Sequence, residues 1–323
     1  DVTSGAMTLR EIRFAGMEVF STPFTKADGF GDGPMNPVDP TSPGGRPTMG
    51  GNGTFLRVNG LDAQSCLECH SVLSSREIPA TFAVGGVGGI SATAMPGPTE
   101  VDIDDEEGNG FVFFNGRMIN PPFVFGSGGV ELVAKEMTID LQALKALAQA
   151  TPDTPIPLDT HRVSFGTITW DSGTSTFDTS GVEGIEPDLV VRPFGRKGNN
   201  ASIRQFDLGA LQFHMGMQPV EIVGEGVDAD GDGVVDEILA GEISAMHVFS
   251  VLSEAPRRVG GNWHQVYRGF RTFTSIGCGD CHVPATRTRS SGLPIAFPEV
   301  ETDPAANVFL SVELRGGSAG FHP

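Results

Sequence analysis

No apolar run in this chain approaches the ~20 residues needed to cross a bilayer, so the sequence offers no helical membrane span. A charged n-region leading into an apolar h-region is also missing; export would place Asp1 at or after a cleavage site. Lysine is scarce, at four of 21 basic residues, and these face 40 acidic ones for a formal net charge of −19. Such a chain repels polyanions, which argues against nucleic acid and anionic membranes as partners. The acidity suits solubility, including in salty surroundings, or a docking surface for a basic redox protein. Cysteine is as rare as lysine, with four residues in 323. What the chain has in plenty is Gly (44) and Pro (23). Turn-formers at that density predict long loops around a modest set of helices, and the length allows two domains of ordinary size.

The four cysteines are specific. All of them fall into two C-x-x-C pairs, and each pair is followed at once by His: Cys66-Leu67-Glu68-Cys69-His70 and Cys278-Gly279-Asp280-Cys281-His282. Two thiols three residues apart on a helical turn reach the two vinyl groups of a haem and form thioethers, and the adjacent imidazole then meets the iron from the proximal side. A four-thiolate zinc site usually brings its pairs ~15–20 residues apart, far closer than these two. Paired disulfides or thioredoxin-like redox pairs would not require His after both. The expectation is two covalently attached c-type haems, a modification made outside the cytoplasm, and hence a periplasmic or extracellular protein.

Both motifs follow a helical signal. Residues 263–273 put Val266, Phe270 and Phe273 on one face, with Gly269 and Phe273 forming a G-x-x-x-F step before Cys278. Gly16 and Phe20 repeat that step in residues 7–20, ahead of a long Gly/Pro-rich stretch and Cys66. A helix is expected over 129–150, with Leu132, Met137, Leu141, Leu144 and Ala148 as its buried stripe. Val163, Phe165, Ile168 and Trp170 lead to the turn Asp171-Ser172-Gly173, which predicts a small β-hairpin. Further helices are expected over 200–217 and over 241–254, the latter facing Ile243, Met246 and Phe249 inward. The predicted fold is mainly α with long loops and a small β-hairpin, built as two cytochrome c-like haem units. The first domain is expected at 1–190, with long loops and the hairpin as an insertion, and the second at 191–323.

Several segments resemble the bacterial dihaem c-type oxidoreductases once labelled thiol-oxidoreductase-like. These belong to the superfamily of dihaem cytochrome c peroxidases, the dihaem enzyme of methylamine utilisation and rubber oxygenases. The segments are Gly31-Asp32-Gly33-Pro34, Asn59-Gly60, Pro122 to Glu131, Val182 to Gly195 and Gly231 to Glu237, together with the order of the two haem motifs. The resemblance spans residues 10–285 in patches. It implies one haem that handles peroxide or O2 and another, with two protein ligands, that passes electrons to or from a redox partner protein. The alternative is a non-enzymatic electron-transfer dihaem cytochrome, possible as a subunit of a larger redox assembly. In the family, a ligand of the second haem usually comes from well downstream. Here the 41 residues after His282 hold no Met and one His, His322.

Distal ligands must be His or Met in an electron-transfer haem. No His or Met occurs between His70 and Met95, which favours an open first haem. Phe213-His214-Met215-Gly216-Met217 groups three candidate ligands, His214, Met215 and Met217, and Met215 and Met217 also suit a packed core. His264 and His247 read as structural, His161 opens the hairpin, and Trp263 reads as a packed aromatic or an electron relay. Glu131 is the candidate proton-transfer acid for O–O cleavage, and the resemblance puts an acid hereabouts near the first haem. Glu131 and Glu136 equally suit a helix N-terminus. Arg192, Arg196, Lys197 and Arg204 form a basic island with no acid between residues 189 and 206; haem propionates would supply its anion, with Arg192 and Arg196 as the forks, unless it is a solvated loop. Asp228, Asp230, Asp232, Val234 and Asp236 follow the spacing of a calcium loop, with Gly233 at its turn. Position twelve is Leu239, so Glu237 or Glu242 would have to supply the bidentate carboxylate.

Overall fold

The computed structural model describes residues 5–30, 65–68, 70, 124–195, 198–229, 231–253, 262–280, 282–283 and 286–314. Cys69, Cys281, Arg196, Lys197, Asp230, His322 and the segment Gly31–Pro34 lie outside the described residues, as does the side chain of His214. The elements run α1 (Leu9–Ser21), α2 (Ser127–Ala150), β1 (Ile156–Thr160), β2 (Val163–Asp171), β3 (Thr176–Asp178), α3 (Ile203–Ala210), α4 (Val220–Val223), α5 (Ala240–Val251), α6 (Trp263–Ser275), β4 (Gly292–Ala296) and β5 (Val308–Glu313).

The chain folds as two compact units, each assembled from two segments: Asp1–Phe125 with Arg204–Ser250, and Gly126–Ile203 with Val251–Pro323. The boundary expected at 190/191 falls inside the second unit.

In the first unit, α1 starts at a reciprocal cap. The Thr8 hydroxyl accepts the Glu11 N–H at 3.3 Å, and the Glu11 carboxylate accepts the Thr8 N–H at 2.7 Å. Ile12, Gly16 and Phe20 are its buried residues, one stripe at i, i+4 and i+8. Gly16 is there for contact: a Cβ at this position would stand 2.0 Å from the Ala245 carbonyl oxygen of α5. Phe20 then packs with Leu211, Met215, Met217, Ile238, Ile243, Met246 and Phe249 into one apolar cluster.

The helix expected over 200–217 is shorter at its start and changes form. α3 covers Ile203–Ala210, and Leu211–Met215 continues as a π-helical turn ended by Gly216 at φ 72°. The Met217 N–H reaches back to the Leu211 carbonyl at 3.2 Å, which satisfies an end carbonyl and turns the chain.

In the second unit, the expected stripe of α2 is largely in place. Leu132, Met137, Leu141 and Ala148 are buried, and Leu144 packs partly buried beside them. The hairpin gains a strand: β1, β2 and β3 form an antiparallel sheet in that order. His161 and Arg162, at φ 48° and 67°, make the β1–β2 turn, the mirror-image geometry that matches strand twist. Asp171 caps the β2–β3 turn by accepting the Gly173 and Thr174 N–H groups. Leu141, Ala148, Leu158, Ile168 and Leu189 close the core between α2 and this sheet. β4 and β5 pair antiparallel as a separate hairpin.

Candidate functional site

The two C-x-x-C-H segments adopt the same local form. Cys66–Glu68 and Cys278–Asp280 are each one 3-10 turn. The His70 N–H donates to the Cys66 carbonyl at 2.8 Å, and the His282 N–H to the Cys278 carbonyl at 2.9 Å. The last Phe of each G-x-x-x-F step meets the imidazole that follows: Phe20 and His70 lie 6.4 Å apart at 56°, Phe273 and His282 6.3 Å apart at 53°. Cys66 and Cys278 are each half-buried. A half-buried cysteine, a tight turn and an imidazole set beside a Phe ring fit what thioether attachment and proximal ligation require.

Their surroundings differ. Ser65 is buried, and Cys66 and Leu67 pack against the apolar cluster of the first unit. The second turn follows α6, which buries no residue, and both His282 and Val283 are exposed. Gly269 meets no atom within 4 Å where a Cβ would stand. Trp263, expected as a packed aromatic, is 71% exposed, and His264 is exposed as well.

Met215 and Met217, 3% and 0% exposed, belong to the cluster on which Cys66 packs. Sequence reading had grouped them without assigning a haem; the fold brings them into the unit of the first motif. Met246 joins the same cluster, and the sequence missed it as a thioether because its helical spacing with Ile243 and Phe249 reads as ordinary core. His247, on the same helix, is fully buried.

Glu131 lies in the second unit, fully buried on α2. Its carboxylate faces the Lys135 ammonium at 2.7 Å and accepts the Ile203 N–H at 2.9 Å. Lys135 also reaches Glu299 at 3.0 Å. Burial pulls the Lys135 ammonium down, but Glu131 and Glu299 outweigh it and hold its pKa above the ordinary lysine value. Glu136 accepts the Arg289 N–H twice at 2.9 Å and the Ser290 N–H at 3.1 Å. Both acids therefore serve as anchors within their unit.

Two members of the basic island, Arg192 and Arg204, meet acids of the chain itself. Arg192 bonds Asp188 and Glu301, and the hydrogen bond from Arg192 is the main reason the Asp188 carboxyl titrates below its usual value. Arg204, 1% exposed, binds Glu221, the Ser244 hydroxyl at 2.9 Å and the Ala240 carbonyl at 3.1 Å. In the calcium-like loop, Asp228 accepts the Gly231 and Gly233 N–H groups at 2.6 and 3.1 Å, Asp232 that of Val234 at 2.7 Å, and Asp236 that of Gly226 at 2.6 Å. Among the described residues no three His, Cys, Asp or Glu side chains gather as a metal site, and no helix is long and apolar enough to cross a membrane. Compared with protein-family models, curated proteins and solved structures, the chain matches none.

Proposed function

We propose that the chain is a dihaem c-type cytochrome oxidoreductase, with one haem attached through Cys66, Cys69 and His70 and another through Cys278, Cys281 and His282. The observation that carries this reading is the twinned geometry of the two turns, each closed by the same His-to-Cys backbone bond and each backed by a Phe at matching distance and tilt. Attachment of this kind occurs outside the cytoplasm, so the proposed location is periplasmic or extracellular.

Bound haem supplies one-electron redox chemistry and an iron able to take peroxide or O2. In this reading His70 and His282 are the proximal ligands. The apolar cluster behind Cys66 excludes water from the first site and favours chemistry there, while the exposed second turn suits exchange of electrons with a redox partner protein. Glu131 acts as proton-transfer acid only if Lys135 and the Ile203 N–H release it, since both stabilise its ionised form.

A second reading has its own support. Met215 and Met217 lie buried in the cluster on which Cys66 packs, and a thioether ligand from either would fill the sixth position of the first haem. The protein would then be an electron-transfer cytochrome without peroxidase-like or oxygenase-like turnover. A calcium ion is also proposed for the loop of Asp228, Asp230, Asp232, Val234 and Asp236, where Asx bonds already fold the chain around Gly231 and Gly233.

Intact mass and a pyridine haemochrome count test the attachment. An oxidised spectrum with a high-spin component that moves with cyanide or peroxide supports chemistry at one haem. Two low-spin haems unmoved by either support the carrier, and Met215→Ala or Met217→Ala should then convert one haem to high spin. Calcium is read by equilibrium dialysis with and without chelator.

A further inference from the structure

We propose that the exposed face of α6, with the turn that follows it, is the docking surface for an acidic one-electron redox protein. This rests on the reading of the second motif as a haem site and adds the place of contact and the charge of the partner. α6 is strongly amphipathic yet buries none of its side chains. Tyr267 and Phe270 are 63% and 36% exposed, and Trp263 continues them one turn earlier. At helical spacing these three form one stripe, flanked on the Tyr267 side by Arg268 and Arg271. Ile276, which caps the helix, is exposed as well. Tyr, Trp and Arg in one exposed patch are the residue types that dominate protein–protein contacts.

Charge selects the partner. Between Arg257 and Arg289 the sequence holds six Arg and a single acid, Asp280, inside a chain of net charge −19. Arg289 is engaged by Asp140 at 2.8 Å, whereas Arg268 and Arg271 are exposed on α6. The exposed Arg268 and Arg271 thus give this face a basic edge in a chain of net negative charge. An acidic protein is attracted to that edge and repelled by the chain's net charge, which favours this face as the contact. A symmetric pairing with a second copy would set Arg268 and Arg271 against themselves. With a haem held by Cys278, Cys281 and His282, the docked partner's reduced centre would pass it one electron, with no bond made or broken and no proton moved.

Tyr267 is the sole tyrosine of the chain, so its nitration by tetranitromethane reports on this face alone. The test uses the haem-loaded chain, reduced flavodoxin as the acidic probe and basic mitochondrial cytochrome c as the control. Intact mass is taken first. Haem present without protection overturns the docking proposal alone, whereas haem absent overturns the reading beneath it. Flavodoxin is expected to slow nitration about fivefold or more and to reduce the chain at a rate that falls as salt rises, while the control does not protect. The double variant Arg268→Glu/Arg271→Glu should lose the protection and reduce at least about tenfold more slowly at low salt; Arg10→Glu/Arg13→Glu on α1 should change neither. Three further results overturn the proposal: Tyr267 inert in the loaded chain before any probe is added, protection that grows with the chain's own concentration alone, and a double variant that behaves as wild type.

Discussion

Lys135 holds two carboxylates, Glu131 and Glu299, at 2.7 and 3.0 Å. Removing a buried cation from its partners leaves them uncompensated, so Lys135→Met should cost about 3–5 kcal/mol in urea unfolding at neutral pH. The folded-state pKa of Lys135 is raised. Its contribution is therefore complete below the ordinary lysine value of 10.5 and is lost as pH rises through the raised one. The gap between wild type and variant should narrow in that alkaline range and nowhere nearer neutrality. Met217→Ala removes a fully buried side chain and should cost about 2–5 kcal/mol by denaturant titration. At this scale the residues of the two C-x-x-C-H motifs were legible because their pattern is local: thiol, thiol and imidazole within five positions. The partners of Arg192 and Arg204 were not. Asp188 precedes the acid-free window, while Glu221 and Glu301 reach the two arginines only through the fold, and no spacing rule encodes that.

α1 and α6 are twins in sequence and opposites in setting. Gly16 lets α1 approach the backbone of α5, where a Cβ would stand 2.0 Å from a carbonyl oxygen; Gly269 meets nothing. Gly16→Ala should therefore destabilise the first unit by roughly 1–3 kcal/mol, since backbone cannot yield as a side chain does. Gly269→Ala should instead stabilise α6 by about 0.5–1 kcal/mol, the ordinary gain for a helix interior. Thermal melts of the two variants, side by side, check both. The helical periods of α1, α2, α5 and α6 and the alternation in β2 were readable because amphipathic stripes are written into the sequence. The π-helical turn before Gly216 was not, since residue propensities hardly distinguish it from the α-helix it continues. Nor was it legible that, among the described residues, no helix crosses α6 at Gly269: the partner of α1 lies far along the chain, and nothing near Gly269 announces whether it has one.

Across the whole molecule, one motif is seated in a core and the other stands on an exposed helix. Each unit draws on two separate stretches of chain, which a reading from end to end divides once. On the proposed dihaem reading, a hydrophilic reductant such as ascorbate should reach a haem at the second motif sooner, and stopped-flow traces of chains with Cys66/Cys69 or Cys278/Cys281 changed to Ala would separate the two rates. The 13 residues of α6 bury no side chain, and an isolated helix of that length is marginal in water. On that reading, the stretch around Cys278 would stay open for attachment of a porphyrin, whereas α1 is held against α5. Hydrogen exchange on the unloaded chain should find α6 amides exchanging almost freely and α1 amides protected. On the proposed dihaem reading, the pigment itself would then be the nucleus on which α6 sets.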